Sequence, residues 1–375
     1  MGNPNSNVIA FVQPFVPTYR KGLFDAIDER LRANGYELEV WHDQPKGIVA
    51  ARRNSSSGEW SVPTKQHRLS FRRRNITYRN IWRRSRSVRA VVAGLASTNL
   101  ETYLLAADPK ITLMLWGHGR NFTAGNNPLD ARLEKWLCDR ATHVFTYTND
   151  GASHLTEHGV SKEKLSTVLN STDTGRLRRS QAEASTEYLE SLTNQLNVRN
   201  SEVALFVGAF DEPKRLPFLF DAADRVHAAR PNFVLLLAGA GPLDDYVAEC
   251  AKSRPYVRLV GRLEIDELAR LSNLVDILVM PGRVGLVAID SLALGIPLAT
   301  TSFPFHAPEA QYLSHQNSIW TEDSVDEYAA GLIAILANQT ELQSLKLAAR
   351  TAGDEFSVEK SAQIFVDGLL LGLAE

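Results

Sequence analysis

Short apolar runs alternate with segments of helical periodicity along most of the chain. The run at 7–13 is followed by a segment that places Leu23, Ile27 and Leu31 at core spacing, and a second predicted strand covers 36–42. Apolar runs of this length predict buried strands, and the spacing predicts a helix over 20–34. A strand, a helix and a strand in this order indicate a parallel sheet with right-handed crossovers.

The same alternation continues through the chain in two series. The first series predicts helices at 88–99, 100–107, 128–138 and 150–158, and strands at 111–116, 141–147 and 165–169. A polar stretch at 176–200, with a helix at 182–196, precedes a second series with strands at 203–207, 232–238, 257–260 and 277–280. Its helices are predicted at 217–229, 264–273, 286–294 and 358–373. The fold class is therefore α/β, with two similar halves.

Composition narrows the class of protein without naming a function. The 375 residues, 44% of them hydrophobic, are enough for two domains with separate cores. The net charge of −2 gives no global reason to expect a nucleic-acid partner. Cys138 and Cys250 lie far apart without neighbours at metal-ligand spacing, which favours a reducing compartment. The polar first residues lack the build of a signal peptide, and no apolar run reaches ~18 residues, so we expect no membrane span.

The segment 52–89 concentrates positive charge. It holds one acid, Glu59, against twelve basic residues: Arg52, Arg53, Lys65, Arg68, Arg72, Arg73, Arg74, Arg79, Arg83, Arg84, Arg86 and Arg89. An anionic membrane, an anionic acceptor or a nucleic acid would attract such a segment, and a solvated flexible loop would also explain it. Each basic residue near an anionic leaflet contributes ~1 kcal/mol, and the interleaved Trp60, Tyr78 and Trp82 are of types found at the headgroup level. We predict an anionic membrane surface as the partner and expect no nucleic acid.

The most informative stretch, 278–301, reads as a strand, a glycine loop, a short helix, a glycine stop and a strand. Gly282 and Gly285 permit backbone angles and close approaches that a Cβ would forbid. The helix that begins near Leu286 and Val287 would offer N–H groups and a positive dipole end to an anion. Asp290, about one turn further on, would reach a hydroxyl beside that anion. An ordinary βαβ corner remains the alternative.

Polar residues also follow other predicted strands. Tyr19 and Arg20 lie in the loop after the first strand, where ligands of open α/β sheets bind, although a proline-stiffened loop explains the same residues. His118 stands between two glycines just past a strand end, as a ligand contact or as a histidine satisfied by a backbone carbonyl. In the second half, the run 208–215 carries Lys214 and Arg215, which a charged surface turn would also explain.

Taken in order, these segments resemble the GT-B glycosyltransferases of family 4. The element Glu-x-Phe-Gly-Leu-x-x-x-Glu-Ala-x-Ala-x-Gly-x-Pro-Val is matched at Gly285-Leu286, Gly295 and Pro297, with Asp290 for the second Glu and Gly282 for the first. The run 208–215 resembles Gly-Arg-x-x-x-x-Lys-Gly, with Lys214 retained, Ala209 at the Arg position and Arg215 at the final Gly. The run 170–173 resembles the Asn-x-x-Asp that closes the first domain.

The resemblance implies two facing Rossmann-like domains with a cleft between them. The first, acceptor-side domain is predicted at 1–172 and receives a returning terminal helix at 357–375. The second domain, at 173–356, is predicted to bind the nucleotide sugar.

The resemblance also implies a function. It is the transfer, with retention, of a hexosyl group from a UDP- or GDP-linked sugar to a hydroxyl of a glycan or lipid-linked acceptor. Fixed cations lower the barrier to placing charge on the leaving diphosphate, and Lys214 and Arg215 are the predicted cations. Asp290 is predicted to bind the ribose, and His118 to orient the sugar. The remaining predicted donor contacts are Gly208, Gly239, Arg262, Gly282, Gly285, Leu286, Val287 and Glu309; Tyr19 and Arg20 are predicted to contact the acceptor.

We expect neither a metal, since no convincing Asp-x-Asp motif is present, nor any other cofactor. The resemblance favours a cytoplasmic location, peripheral at the inner face of the membrane. Two other classes stay open. A non-catalytic GT-B protein that binds a nucleotide sugar or lipid would explain Gly282 and Ala209, because both remove a charged group. An RNA-binding protein acting through 52–89 would bind with steep salt dependence.

Overall fold

The computed structural model describes residues 2–45, 55–71, 74–119 and 128–374. The chain divides into two compact units: residues 1–172 together with 358–375, and residues 173–357. No helix within the described ranges is long and apolar enough to cross a membrane.

The first unit is built on a parallel sheet with the order β3-β2-β1-β6-β7-β8-β9. Its strands are β1 (Val8–Gln13), β2 (Glu37–His42), β3 (Ser61–Pro63), β6 (Ala90–Gly94), β7 (Leu113–Gly117), β8 (His143–Thr146) and β9 (Leu165–Thr167). A separate antiparallel hairpin consists of β4 (Gln66–Phe71) and β5 (Arg74–Arg79). The helices are α1 (Lys21–Ala33), α2 (Trp82–Ser85), α3 (Leu100–Ala107), α4 (Pro128–Arg140) and α5 (Asn149–Glu157).

Both faces of this sheet are covered, which explains the unbroken apolar runs. Ile9 and Phe11 point into one core and Ala10 and Val12 into the other. The C-terminal helix (Val358–Ala374) packs into the first of these cores beside α1, where Phe365 meets Phe11 edge-on at 5.7 Å between ring centroids. The predicted return of this helix to the first domain is thus confirmed.

One predicted helix is wrong. Residues 88–99 contain the buried strand β6, which pairs in parallel with β1 and β7. The run Ala-Val-Val-Ala at its centre is too short for the helical period to be tested, and its β-branched residues fit a strand covered on both faces. The prediction of a helix at 88–99 treated this run and its flanking residues as a single element.

The basic segment 52–89 is more structured than its charge suggests. Trp60 and Ile81 are buried in the core, and Arg79 forms a buried ion pair with Glu101. Arg84 and Arg86 pair with Glu39 and Asp108 at 2.9 and 2.7 Å. Lys65, Arg68 and Arg83 are exposed, while Arg52, Arg53, Arg72 and Arg73 lie outside the described residues. A flexible solvated loop therefore does not account for the described residues of the segment.

The second unit contains a parallel sheet with the order β12-β11-β10-β13-β14-β15. Its strands are β10 (Glu202–Val207), β11 (Phe233–Ala238), β12 (Val257–Gly261), β13 (Ile277–Val279), β14 (Leu298–Thr301) and β15 (Ser318–Thr321). Counted within the unit, this is the order 3-2-1-4-5-6. The strands stay parallel, but the direction in which successive strands are added reverses between β10 and β13. Ligands of such sheets bind outside the carboxyl ends of these two strands.

Helices flank this sheet: α6 (Thr174–Ala182), α7 (Thr186–Leu196), α8 (Leu216–Ala229), α9 (Asp244–Lys252), α10 (Ile265–Leu271), α11 (Val287–Leu294), α12 (Val325–Ala337) and α13 (Gln339–Ala352). The helix predicted at 182–196 is present as α7, which begins four residues later, and the preceding helix α6 was not predicted. The start of α7 is set by Ser185, whose side chain accepts a hydrogen bond from the amide of Tyr188 and caps the helix.

Candidate functional site

The turn that carries Lys214 and the glycine loop after β13 are in direct contact. They follow the adjacent strands β10 and β13. The ammonium group of Lys214 donates a hydrogen bond to the carbonyl oxygen of Arg283 at 2.6 Å, and the amide of Arg283 donates to the carbonyl of Pro213 at 2.8 Å. Two segments that are 69 residues apart in sequence therefore form one surface at the switch point of the sheet.

The two loop glycines have different roles. A Cβ at Gly282 would lie 2.4 Å from the carbonyl oxygen of Pro213 and 2.6 Å from the carbonyl carbon of Lys214, so no side chain fits there unless the backbone shifts. A Cβ at Gly285 would have no atom within 4 Å. The packing of the Lys214 turn therefore explains why Gly282 stands where the family motif has Glu. Gly285 is not required by internal packing and leaves open space at the loop.

Arg215 holds this turn in place. Its φ of 55° is left-handed, which explains why the family motif has glycine at this position. The guanidinium forms an ion pair with Asp323 and lies over the rings of Phe218 and Phe303, at 4.3 and 4.9 Å from the centroids. These contacts compensate for the backbone strain. The role of Arg215 as a second cation for a diphosphate stays a prediction.

His306 supports the glycine loop and was not singled out in the sequence. Its Nδ1 accepts a hydrogen bond from the amide of Val284 at 3.1 Å, and its Nε2 then donates to the carbonyl oxygen of Thr301 at 2.9 Å. Burial is the main cause that lowers the pKa of His306, so the ring is neutral and this tautomer is maintained. No motif marks this histidine, because its function depends on a contact across 22 residues.

Helix α11 begins directly after the glycine loop. Val287 is its first residue, and Leu286 is the N-cap residue, which makes no side-chain hydrogen bond to the N-terminal amides. Asp290 is half-buried in the first turn, one turn from the loop as the sequence predicted. The arrangement presents the positive end of a helix dipole beside the ammonium group of Lys214, which favours an anion at this edge of the sheet.

The other predicted donor contacts lie at neighbouring strand ends. Gly208 follows β10, and a Cβ there would make ordinary contact with the side chain of Lys214. Gly239 follows β11, and a Cβ there would lie 1.9 Å from the carbonyl oxygen of Gly208, so close packing of two turns accounts for this glycine. Arg262 is exposed after the edge strand β12, and Glu309 is buried in a short 3-10 turn after β14.

The predicted residues of the first unit form a second group. Arg20 donates hydrogen bonds from Nη1 to Oε1 of Gln13 at 2.9 Å and from Nη2 to the hydroxyl of Tyr147 at 2.7 Å. The exposed ring of His118 lies 4.7 Å from the ring of Tyr147. Tyr19 and Arg20 therefore lie beside the end of β1, and Tyr147 links Arg20 to His118. Gln13 and Tyr147 were missed by sequence reasoning because they end buried strands without a motif.

Known proteins match part of the chain by sequence. Residues 201–338 match the family described as glycosyl transferases group 1. Over 104 residues the chain is 31% identical to glycogen synthase of Mycobacterium tuberculosis, which covers 26% of this chain and 25% of that protein. Over 102 residues it is 26% identical to a phosphatidyl-myo-inositol mannosyltransferase of the same species, covering 26% of this chain and 27% of that protein. The match thus spans about a quarter of these relatives.

Solved structures match nearly the whole chain by fold. A glycosyltransferase from Rickettsia africae superposes with a TM-score of 0.69 at 12% identity, covering 97% of both chains. Anabaena HepE in complex with UDP superposes with a TM-score of 0.65 at 14% identity, covering 97% of this chain and 99% of that one. Residues 201–338 are therefore similar to the group 1 glycosyltransferases, and the chain has the GT-B fold.

Proposed function

We propose that this protein transfers a hexosyl group from a nucleotide sugar to a hydroxyl of a glycan or lipid-linked acceptor, with retention of the anomeric configuration. The observation that carries the proposal is the contact between Lys214 and the glycine loop at Arg283. It provides a cation and a helix N-terminus on one surface at the switch point of a six-stranded parallel sheet. That combination suits a diphosphate.

In the proposed reaction, the bond between the anomeric carbon and the diphosphate breaks, and a bond to the acceptor oxygen forms on the same face of the sugar. The acceptor proton passes to the leaving diphosphate. Lys214 and the first amides of α11 stabilise the charge that develops there, which is the largest contribution that fixed groups make to such a barrier. Asp290 accepts a hydrogen bond from the ribose, and His118 orients the sugar.

The nature of the donor is supported by a fold neighbour, since HepE was solved with UDP. One relative by sequence, matched over 26% of this chain, is named a phosphatidyl-myo-inositol mannosyltransferase. We propose a UDP- or GDP-linked donor without a bound metal. We further propose an acceptor at an anionic membrane surface, which the exposed Lys65, Arg68 and Arg83 would contact.

The test is a thermal-shift screen of UDP, GDP, ADP and their sugar conjugates, followed by donor turnover with the conjugate that binds. A ligand that binds only the folded state raises the melting temperature by an amount set by its concentration and affinity. We expect one nucleotide series to stabilise the protein and its sugar conjugate to be hydrolysed slowly without acceptor. If no nucleotide stabilises the protein, the donor site is wrong.

A non-catalytic nucleotide-sugar-binding protein is the second candidate. Gly282 favours it, because packing against Pro213 excludes the carboxylate that the family motif has at this position. Such a protein would bind a nucleotide sugar without hydrolysing it, alone or with any acceptor. The same screen therefore separates the two candidates.

A further inference from the structure

Arg20 is a cation in an unusual environment. It lies at the start of α1, where its guanidinium stacks over Trp116 at 4.6 Å from the ring centroid and near Tyr147 at 5.5 Å. Trp116 and Tyr147 are themselves buried, with 4% and 7% of their surface exposed. The guanidinium is therefore held by aromatic rings on one side and by strand ends on the other.

The charge of Arg20 is not neutralised within the described part of the chain. Its hydrogen-bond partners there are the side-chain amide of Gln13 and the hydroxyls of Tyr147 and Tyr19, and no carboxylate lies within ion-pair distance among the described residues. Its Nε is buried without a hydrogen-bond partner. Buried charges in proteins are normally paired, and a guanidinium has five N–H donors in a planar fork.

Three other arginines of the same unit are paired with acids. Arg79 pairs with Glu101, and Arg86 pairs with Asp108 at 2.7 Å. In the helix that follows Arg20, Arg32 pairs with Asp28 at 2.9 Å. Arg20 differs from these three, and it lies at the carboxyl end of β1, where ligands of such sheets bind.

We propose that Arg20 binds an oxyanion, a phosphate or a carboxylate, carried by the acceptor. That the acceptor carries this anion rests on the proposed function, whereas the existence of the anion site does not. Gln13 and Tyr147 hold the guanidinium, and its Cζ lies over the ring of Trp116, so the donors that these partners do not use remain for the ligand. A fork held in this way suits the bidentate recognition of phosphate or carboxylate. His118, beside Tyr147, lies at the same end of the sheet.

The test measures the binding of inorganic phosphate and of acetate by calorimetry at constant ionic strength, with UDP at saturation to occupy the second unit. The proteins are the wild type, Arg20→Gln, Arg20→Lys and Arg32→Gln. Arg32→Gln is the matched control, because it removes an acid-paired arginine from the same helix. Arg20→Lys keeps the charge but loses the fork.

We expect one of the two anions to bind the wild type and Arg32→Gln with equal affinity. The same anion should bind Arg20→Lys about tenfold more weakly, and its binding to Arg20→Gln should not be measurable. Which anion binds identifies the acceptor group. Failure of the wild type to bind either anion, or equal binding by Arg20→Gln, overturns the proposal.

The outcome is separable from that of the proposed function. UDP binding to the same four proteins reports on the second unit, and we expect it to be unchanged by every substitution at Arg20. If UDP does not bind, the anion titrations are repeated with Lys214→Ala, which removes the cation of the second unit. The melting temperature measured without anion shows whether each variant is folded. Added phosphate should raise the melting temperature of the wild type but not that of Arg20→Gln.

Discussion

The ammonium nitrogen of Lys214 lies 2.6 Å from the carbonyl oxygen of Arg283. This hydrogen bond joins the turn after β10 to the loop after β13, and it fixes where the lysine charge is located. A diphosphate placed at the start of α11 would therefore meet a lysine whose position is set before the ligand binds.

Lys214→Ala should abolish sugar transfer while leaving the fold intact. Removal of one preorganised donor at a site of developing charge costs about a hundredfold or more in rate. Lys214 is only half-buried, so the melting temperature should change little. Steady-state kinetics with the donor found in the screen measure the effect. Lys252→Ala is the control, because Lys252 is exposed in the same unit. A Lys214→Ala protein with wild-type activity would refute the diphosphate site.

Substitutions at the two glycines should separate stability from binding. Gly282→Ala places a Cβ 2.4 Å from a backbone oxygen and should destabilise the second unit by about 1–3 kcal/mol. Gly285→Ala meets no atom within 4 Å, so its stability should change by less than about 1 kcal/mol. If the nucleotide approaches this loop closely, Gly285→Ala should still weaken nucleotide binding. Urea unfolding and nucleotide titration of both variants provide the measurements. Unchanged nucleotide affinity in Gly285→Ala would mean that the nucleotide does not bind at this loop.

At position 215, glycine should be tolerated better than alanine. The φ of 55° is strained for any residue with a Cβ, and both substitutions remove the ion pair with Asp323 equally. Arg215→Gly should therefore be more stable than Arg215→Ala by about 1 kcal/mol. Equilibrium unfolding in urea measures the difference. Equal stabilities would mean that the left-handed conformation is not maintained once the guanidinium is removed.

Acid should weaken the support of the glycine loop through His306. Burial lowers the pKa of this ring below its ordinary value, despite the opposing charge of Asp323, so the folded state prefers the neutral form. The stabilisation is present above the unfolded pKa, about 6.5, and is lost as the pH falls from there towards the lower folded pKa. The stability of the wild type should thus fall more steeply than that of His306→Gln as the pH falls below about 6.5. Parallel pH slopes for the two proteins in urea unfolding would exclude this contribution.

Binding to anionic vesicles should depend on the exposed basic residues near the hairpin β4–β5. The triple variant Lys65→Gln, Arg68→Gln and Arg83→Gln should bind more weakly to vesicles that contain phosphatidylserine, by about 1 kcal/mol for each residue that contacts the leaflet. The matched control replaces Arg199, Arg225 and Lys252 by Gln, which changes the net charge equally in the second unit. Flotation assays measure the difference. Equal flotation of the two triple variants would place the membrane contact elsewhere.

The local pattern of apolar and polar residues predicts most strands of the two sheets, but it does not predict which side chains pack together. Most strands were found because a parallel sheet buries both faces, which leaves an apolar run that is visible without context. The error at 88–99 arose where such a run is only a few residues long. Trp60 illustrates a different failure: its burial, and the hydrogen bond to Asp25 at 2.9 Å, depend on packing against α1, which the surrounding positive charge does not reveal.

The candidate site was predictable only where a motif marks it. Lys214 and Gly285 were predicted because both match residues of the motifs that carry the family resemblance. His306 and Tyr147 act through contacts to distant segments, and Tyr147 is 127 residues from Arg20. Periodicity carries no information about such pairs, since each residue is locally an ordinary strand-end or loop residue.

The membership of the C-terminal helix in the first unit has a consequence for biosynthesis. The ribosome synthesises all of residues 173–357 before it makes Phe365 and Leu369, which fill the core around Phe11. The first unit, although it was translated earlier, must therefore wait for this helix with part of its apolar interior uncovered. Apolar surface exposed during that interval is prone to aggregation, so the nascent first unit is a place where chaperones would act.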